Sequence, residues 1–367
     1  MIKICFLNLN AYSIFNPKSR APIGGAEVQL FNVAKYLSQD DNLRISFVTG
    51  DWGQKKIELF DKVEVIKSVK MKRNLWNFFI APLRIFNILN KVNADIYIVS
   101  PAGAEVGIVA FFCKIKKKKL IVRTASSMEC DWDFIKRKGM IGKMYHYGLK
   151  NADAVISQSE NNDKLLKDFH NIESIVLRNS FFIKNLSLEL KEDYILWVGK
   201  METNKKPDLF LDLVRKMPNE KFLMISPKRN YQEDFADKII SEAKKIKNLT
   251  FIERVPYDKI QEYFNKAKIF ICTSDYEGFP NVHLQACLGK TPIVTLNINP
   301  DNYINKYDVG YYANGDKNIL LKKTNELVVN PDKLEIKAKN AYKYVCNKHD
   351  IRLIGEEWKK IIHKITS

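Results

Sequence analysis

The sequence predicts an α/β protein built from two doubly wound domains, and three observations carry that prediction. Short apolar runs rich in Ile, Val and Phe alternate with longer segments of helical periodicity, the pattern of parallel sheets covered on both faces. The 367 residues exceed one ordinary core and suit two domains of roughly 150 to 200 residues each. A less regular polar stretch, Lys184 to Glu192, interrupts the alternation, which restarts at Tyr194.

Each element follows from its local pattern. In the first half the strand candidates are Ile2 to Leu9, Arg44 to Thr49, Val63 to Ile66, Asp95 to Val99, Leu120 to Arg123, Ala154 to Ser157 and Ser174 to Leu177. Helical periodicity falls between them at about 26 to 38, 75 to 91, 103 to 115 and 160 to 169. In the second half the strands are Tyr194 to Val198, Phe222 to Ile225, Thr250 to Ile252, Ile269 to Thr273 and Pro292 to Leu296, separated by helices near 207 to 216, 231 to 245, 257 to 266 and 281 to 288. The chain closes with helical segments from about 332 to 365, in which Trp358, Ile361, Ile362 and Ile365 form one apolar face.

Composition narrows the function classes. With 46% hydrophobic and 28% charged residues no long segment is too polar to fold. Sixty Lys plus Arg against 42 Asp plus Glu leave a net charge of +18, with basic clusters at Lys67, Lys70, Lys72 and Arg73 and at Lys114, Lys116, Lys117, Lys118 and Lys119. Such a surface is either an ordinary solvated lysine-rich face or an attractor of anionic membrane lipid or a lipid diphosphate, because Trp76, Phe78, Phe79 and Ile80 stand beside the first cluster. Nucleic acid is not expected as a partner, since no RNA-binding signature, zinc finger or repeated basic-aromatic pattern occurs. The six scattered cysteines include no C-x-x-C pair and read as reduced core residues of a cytoplasmic protein. No apolar stretch reaches the roughly 18 residues that span a bilayer, and the N-terminus runs into a strand without a signal-peptide layout, so any membrane contact is expected to be peripheral, on the inner face.

In an open parallel sheet, ligands lie beyond the carboxyl ends of the strands. Two segments there have the right chemistry. Gly24-Gly25-Ala26-Glu27 opens an amphipathic helix, where paired glycines admit close backbone approach and exposed amides favour an anion; the plain alternative is a turn. Ser274-Asp275-Tyr276-Glu277-Gly278-Phe279-Pro280-Asn281 leads from a strand into a helix, with Pro280 suited to the first helical turn and Gly289 to the C-terminal cap. A carboxylate at Glu277 accepts hydrogen bonds from sugar hydroxyls, while the amides of Phe279, Asn281 and Val282 face a phosphate; the alternative is helix capping by Glu277 or Asn281.

The segment EGFPNVHLQACLGKTPIVTLNINPD resembles the donor-binding signature of the retaining glycosyltransferases of family 4, in which two glutamates are separated by seven residues. Glu277 matches the first, and Gln285 stands at the second, keeping hydrogen-bonding ability without charge. Asn297 to Asp301 replaces the glycine-rich turn more usual there, as in a bacterial subgroup with E-G-F-P-N, then Gln, then a Pro-Asp turn. Val198-Gly199-Lys200-Met201 and Lys205 resemble the family's V-G-R-L and later Lys, which implies that Lys200 and Lys205 contact the donor diphosphate; otherwise they are two solvated lysines. Gly24, Gly25 and Glu27 match its cleft-lining G-G-A-E, and Arg123-Thr124-Ala125-Ser126 ends a strand where many members carry a histidine, absent here. Ser157-Gln158-Ser159 and Arg178-Asn179-Ser180 resemble its segments near the cleft and hinge.

The resemblance implies a GT-B fold, two Rossmann-like domains facing across a cleft with the C-terminal helices packing back on the first. It divides the chain into an acceptor-side domain (1–183), a nucleotide-sugar-binding domain (184–345) and a returning terminal helix (346–367). It implies retaining transfer of a hexose-type sugar from a nucleotide diphosphate sugar to a glycan or polyprenyl-diphosphate-linked acceptor in surface-polysaccharide assembly. No cofactor or metal is expected: the five histidines lack ligand spacing, and Asp131-Trp132-Asp133, formally D-x-D, lies beyond its strand in a polar stretch. Gly278, Phe279, Pro280, Asn281, Val282 and Gln285, with Gly199, then form the donor-binding set, Glu277, Lys205 and Lys200 the catalytic set, and Arg123 and Ser126 join the acceptor side. His283 is either a donor contact or a satisfied histidine. Two rivals are a nucleotide-sugar epimerase, which turns over free donor with no acceptor, and a donor-binding subunit with weak catalysis.

Overall fold

The computed structural model of the chain describes residues 1–19, 21–71, 75–183, 190–227 and 232–366. Of the residues named above, Lys72, Arg73, the 184–189 part of the polar stretch, and the side chains of Trp76, Phe78, Phe79 and Asp133 lie outside these. The chain divides into two compact units, residues 1–182 with 350–367, and residues 183–349.

The first unit is an eight-stranded sheet. Its strands are β1 (Ile2–Leu7), β2 (Leu43–Asp51), β3 (Ile57–Phe60), β4 (Val63–Lys70), β5 (Ile96–Val99), β6 (Lys119–Arg123), β7 (Ala154–Ser157) and β8 (Ile175–Val176). They lie in the order β3-β4-β2-β1-β5-β6-β7-β8, parallel except for the β3–β4 hairpin. β5 reads Ile-Tyr-Ile-Val and is buried throughout, as a strand covered on both faces must be. One face packs Ile4, Phe6, Ile98 and Ile121 under the Gly25–Leu37 helix and the final Ile351–Thr366 helix. The other packs Leu7, Val99 and Val122 under the helices Leu75–Val92, Ala104–Lys116 and Met140–Lys150.

The apolar face expected at the C-terminus is present: Trp358, Ile361 and Ile362 enter the first unit's core, with Ile365 against it. A β-carbon on Gly355 would lie 2.1 Å from the Tyr36 ring, so glycine sets how closely this helix meets Gly25–Leu37. Only the last helix returns in this way. The expectation for both C-terminal helices fails for Pro331–Lys348, which stays in the second unit and packs on the Asn281–Leu288 helix.

The second unit is a six-stranded, fully parallel sheet of β9 (Ile195–Val198), β10 (Phe222–Ile225), β11 (Leu249–Ile252), β12 (Ile269–Cys272), β13 (Ile293–Thr295) and β14 (Gly310–Tyr312), in the order β11-β10-β9-β12-β13-β14. Its core joins Trp197, Phe210, Met224, Ile271 and Val294. The Pro207–Lys216 helix starts on its proline, where the missing N–H costs no helical bond, after Lys206 turns the chain at φ 49°.

Several pieces differ from the sequence expectation, the helix Lys317–Val329 among them. β3 is an antiparallel edge strand whose Ile57 and Leu59 point outward, 57% and 70% exposed, so no buried run announces it. β14 begins at a glycine, and the helices Trp132–Lys138 and Met140–Lys150 carry three glycines between residues 139 and 148 that break their apolar periodicity.

Candidate functional site

The second sheet reverses its winding between β9 and β12, and a ligand site in an open α/β sheet lies outside the carboxyl ends of two such strands. β9 delivers Gly199 and Lys200, both half-buried, and β12 delivers the loop from Thr273 to Pro280. Hydrogen bonds tie the two loops together. Trp197 Nε1 donates to Thr273 Oγ1 at 2.9 Å, Thr273 Oγ1 donates to the Lys205 carbonyl at 2.7 Å, and the Asp275 N–H donates to the Asn204 carbonyl at 2.8 Å. Gly199 is required where it stands, since a β-carbon there would meet the Trp197 ring at 2.7 Å.

At the centre of this edge Lys205 Nζ forms an ion pair with Glu277 Oε1, which also accepts from Ser274 Oγ at 3.2 Å. Burial, the largest influence, lowers the Lys205 pKa, but Glu277 more than offsets it and the ammonium titrates above the ordinary lysine range. The side chains keep 15% and 20% of their surface, enough contact with solvent to meet a ligand. Beside them Lys206 pairs with Asp275 at 3.2 Å.

The rest of the motif is held from behind. Gly278, Phe279 and Pro280 are buried, and Asn281 and Val282 start the Asn281–Leu288 helix half-buried. Pro280 sits at the cap position, one residue before the first turn expected for it, and makes no side-chain cap bond. The Glu277 carboxylate faces Lys205 and Ser274. Phe279 packs on Tyr303 (5.2 Å) and His349 (5.0 Å), and Tyr303 stacks on Tyr344 (5.0 Å). His283 is fully buried with Nδ1 2.6 Å from the Tyr303 hydroxyl, and burial, reinforced by Lys205, pushes its pKa down to about 3. It is therefore a neutral core histidine. Gln285 is also buried, at 6% exposure. In the Asn297–Asp301 turn, Asp301 and Asn302 take left-handed φ of 54° and 53°, the work that glycines would otherwise do, and Asn299 Oδ1 accepts from the Ile304 N–H at 2.9 Å.

The first unit's site residues lie at the carboxyl edge of its own sheet, with less exposure. Gly24 caps the Gly25–Leu37 helix in extended conformation and Gly25 is exposed, but Glu27 is buried and accepts from Asn8 Nδ2 at 3.5 Å. Arg123, which sequence reasoning assigns to the acceptor side, is 2% exposed: Nη2 donates to Asn179 Oδ1 at 2.6 Å. Burial brings its pKa down to about 10, against the favourable pull of Glu129. Sequence reasoning missed Glu129. Its carboxylate folds back on the Ala125 N–H at 2.8 Å and bonds the Ala102 N–H and Ser126, yet burial outweighs these contacts and pushes its pKa up to about 7. The Ser126-x-x-Glu129 spacing, a capping-box signature just after a strand, is the signal that could have found it. Ser126 itself is half-buried. Ser180 is clamped by Gln29, which accepts from its N–H, and by Asn32, which donates to its carbonyl, both at 2.7 Å. Gln158 donates to the Thr124 carbonyl at 2.8 Å.

Asp131 accepts from the Phe134 N–H at 3.3 Å, fastening a helix start. Among the described residues no group of three or more His, Cys, Asp or Glu could hold a metal ion, and no helix is long and apolar enough to cross a membrane. All six cysteines are free thiols, five of them buried.

Residues 179–344 match the family model for Glycosyl transferases group 1. Over 93% of this chain and 96% of the relative, the sequence is 24% identical to a Campylobacter jejuni GalNAc-alpha-(1->4)-GalNAc-alpha-(1->3)-diNAcBac-PP-undecaprenol alpha-1,4-N-acetyl-D-galactosaminyltransferase. Among solved structures, sucrose-phosphate synthase from Thermosynechococcus elongatus superposes with a TM-score of 0.81 at 12% identity, covering 100% of this chain and 99% of that one. Anabaena HepE, solved in complex with UDP and glucose, superposes with a TM-score of 0.73 at 14% identity, covering 99% and 100%. The fold is GT-B, and the match to the glycosyltransferases of group 1 runs over residues 179–344.

Proposed function

We propose that the chain transfers a hexose-type sugar from a nucleotide diphosphate sugar to a hydroxyl of a glycan or polyprenyl-diphosphate-linked acceptor, with retention, in surface-polysaccharide or lipid-linked glycan assembly. The observation that carries the reading is the partly exposed Lys205–Glu277 pair at the switch point of the second sheet. Two names support the substrates: the Campylobacter relative is an N-acetyl-D-galactosaminyltransferase named for an undecaprenol-linked acceptor, and the Anabaena structure holds UDP and glucose.

The chemistry demands neutralisation of the departing diphosphate, because negative charge builds on its bridging oxygen as the glycosidic carbon loses it. Lys205, with Lys200 at the end of β9 and the amides opening the Asn281–Leu288 helix, supplies positive charge there. Arrival of the diphosphate gives the Lys205 ammonium a second anionic partner, and the Glu277 carboxylate orients the sugar hydroxyls and stabilises the electron-poor carbon. The acceptor enters on the face that the diphosphate leaves and its proton passes to the leaving phosphate, which is what gives retention. Gln285 contributes hydrogen bonds without charge.

Mixing the protein with a panel of UDP- and GDP-sugars and a lipid-linked acceptor tests this reading. Sugar transfer by the wild type that is abolished in Glu277→Ala is the expected outcome; donor turnover without acceptor would replace it with an epimerase, and donor binding without transfer with a binding subunit.

A further inference from the structure

The first sheet ends on β3, and among the described residues no strand lies beyond it. On its inner side β3 pairs with β4 in an antiparallel register that sets Ile57 opposite Ile66 and Phe60 opposite Val63. The Lys67 N–H donates to the Lys56 carbonyl at 3.0 Å, so residue 56 turns its main-chain groups toward β4 and, by the alternation of an antiparallel ladder, so do residues 58 and 60. Those of Ile57 and Leu59 turn outward. The side chains alternate as well. Glu58 lies on the side of Tyr12, whose hydroxyl donates to its Oε2 at 2.8 Å, and Phe60 packs on the same core. Ile57 and Leu59 share the other face and stay 57% and 70% exposed.

Edge strands are commonly blunted by charged side chains, a proline or a bulge. Here two aliphatic side chains and the outward main-chain groups fall on the same two residues, and the order of residues around them is self-complementary. Counted outward from Glu58, the strand reads Ile57 and Leu59 on its two sides, then Lys55 and Asp61 two positions further on each side. Laid antiparallel against itself with Glu58 on a two-fold axis, β3 sets Ile57 against Leu59 and Lys55 against Asp61, each twice. In that register Ile57 and Leu59 are the pairs that exchange main-chain hydrogen bonds. Moving the axis to Leu59 sets Ile57 against Asp61, and moving it to Ile57 sets Leu59 against Lys55, so charge and apolarity match only about Glu58. Asp61 already meets Lys35 at 3.0 Å but keeps 63% of its side chain exposed, which leaves room for a second cation.

We propose that β3 pairs with β3 of a second copy of this chain, joining two eight-stranded sheets into one across a two-fold axis at Glu58. A closed symmetric contact needs a surface complementary to itself, which an unrelated peptide strand would not require. The Ile57–Leu59 main-chain bonds, the two apolar pairs and the two Lys55–Asp61 pairs hold the seam; the two Glu58 carboxylates facing each other at the axis oppose it. The inference goes beyond the transfer reaction, and its test contains no sugar, so failure of the proposed activity leaves it standing.

The experiment is sedimentation equilibrium of the full chain between about 5 and 500 μM, since so small a seam gives a weak dimer. The wild type is expected to show a monomer–dimer equilibrium within this range. Leu59→Lys should weaken association about ten-fold or more, whereas Leu83→Lys, the same change at a leucine 67% exposed on the Leu75–Val92 helix, should stay within about two-fold. Glu58→Gln, which removes the repulsion at the axis, should tighten the dimer by about two- to five-fold. Both leucines are exposed, so their variants should melt with the wild type. Cross-linking reads the register: under mild oxidation Glu58→Cys should form a disulfide-linked dimer about ten-fold faster than Lys56→Cys, because residue 58 faces its own copy at about 4.5 Å between α-carbons while residue 56 lies opposite residue 60. A wild type that stays monomeric over this range, a Leu59→Lys variant that associates like the wild type, an equal loss from Leu83→Lys, a weaker dimer in Glu58→Gln, or equal cross-linking rates would each overturn the proposal.

Discussion

At the carboxyl edge of the second sheet the charged groups stay in contact with solvent: Lys205 and Glu277 pair while keeping 15% and 20% of their side-chain surface, and Lys206 and Asp275 beside them keep 37% and 38%. At the same edge of the first sheet the charges are enclosed, with Glu27 and Glu129 at 7% exposure and Arg123 at 2%. Both sheets place their central strands in one winding order, with β1 and β5 in the first where β9 and β12 lie in the second. One scaffold therefore carries two uses of charge. An ion pair in partial contact with water can exchange its partner for a ligand's phosphate at modest cost, whereas a buried one cannot give up its partner without leaving a charge in a low dielectric. The second edge is suited to chemistry and the first to holding its loops in place.

The sharpest way to break this comparison is to remove one buried charge. Arg123→Ala removes the cation near Glu129 and the donor to Asn179 Oδ1, and should destabilise the protein by about 3 to 5 kcal/mol in urea unfolding, with Arg123→Met plus Glu129→Gln recovering most of the loss. A loss below about 1 kcal/mol, the range of exposed pairs, would mean that the first edge is no more structural than the second. Lys205→Met, by contrast, should leave stability nearly unchanged and lower the transfer rate by about 10²-fold, measured as kcat/KM for the donor.

The titration of Glu129 gives the next largest effect. Its carboxyl titrates at about 7 in the folded chain against 4.5 ordinarily, so its contribution is fully present below pH 4.5 and is lost as pH rises to about 7. Glu129→Gln should therefore gain on the wild type by about 2 kcal/mol between pH 5 and pH 8, read from urea midpoints at each pH. A constant difference would show that the carboxyl is not held neutral by burial. The smallest effect concerns the support behind the second edge. Tyr303→Phe strips the Nδ1 partner from the buried His283 and should cost about 1 kcal/mol of stability, visible as a lower Tm.

How far these edges were legible in the sequence depends on the range of the interaction. β7, β10 and the helices 207–216 and 281–288 lie where the sequence pattern put them, because a buried run or an amphipathic face is written in consecutive residues. Glu277 was legible because its motif is a continuous segment leading from a strand into a helix. Glu129 was not, since its chemistry depends on the loop after β6 closing on the Ala102 N–H, a residue 27 positions earlier. His283 reads equally well as ligand or core from sequence, and only its enclosure beside Tyr303 distinguishes the two. Pro331–Lys348 and Ile351–Thr366 look alike as amphipathic helices, yet each packs on a different unit.

The alternation of apolar runs with helical periods was sufficient by itself to determine a doubly wound α/β chain of two sheets and to point to the segment after β12, because burial on both faces constrains every residue of a parallel strand. Which ammonium meets Glu277, and which charges lose their contact with water, was decided only by the tertiary structure. Lys205 and Glu277 are 72 residues apart and become neighbours because β9 and β12 are adjacent in the sheet. Exposure is a property of everything packed around a side chain, so no local pattern could have separated a reactive pair from a buried brace.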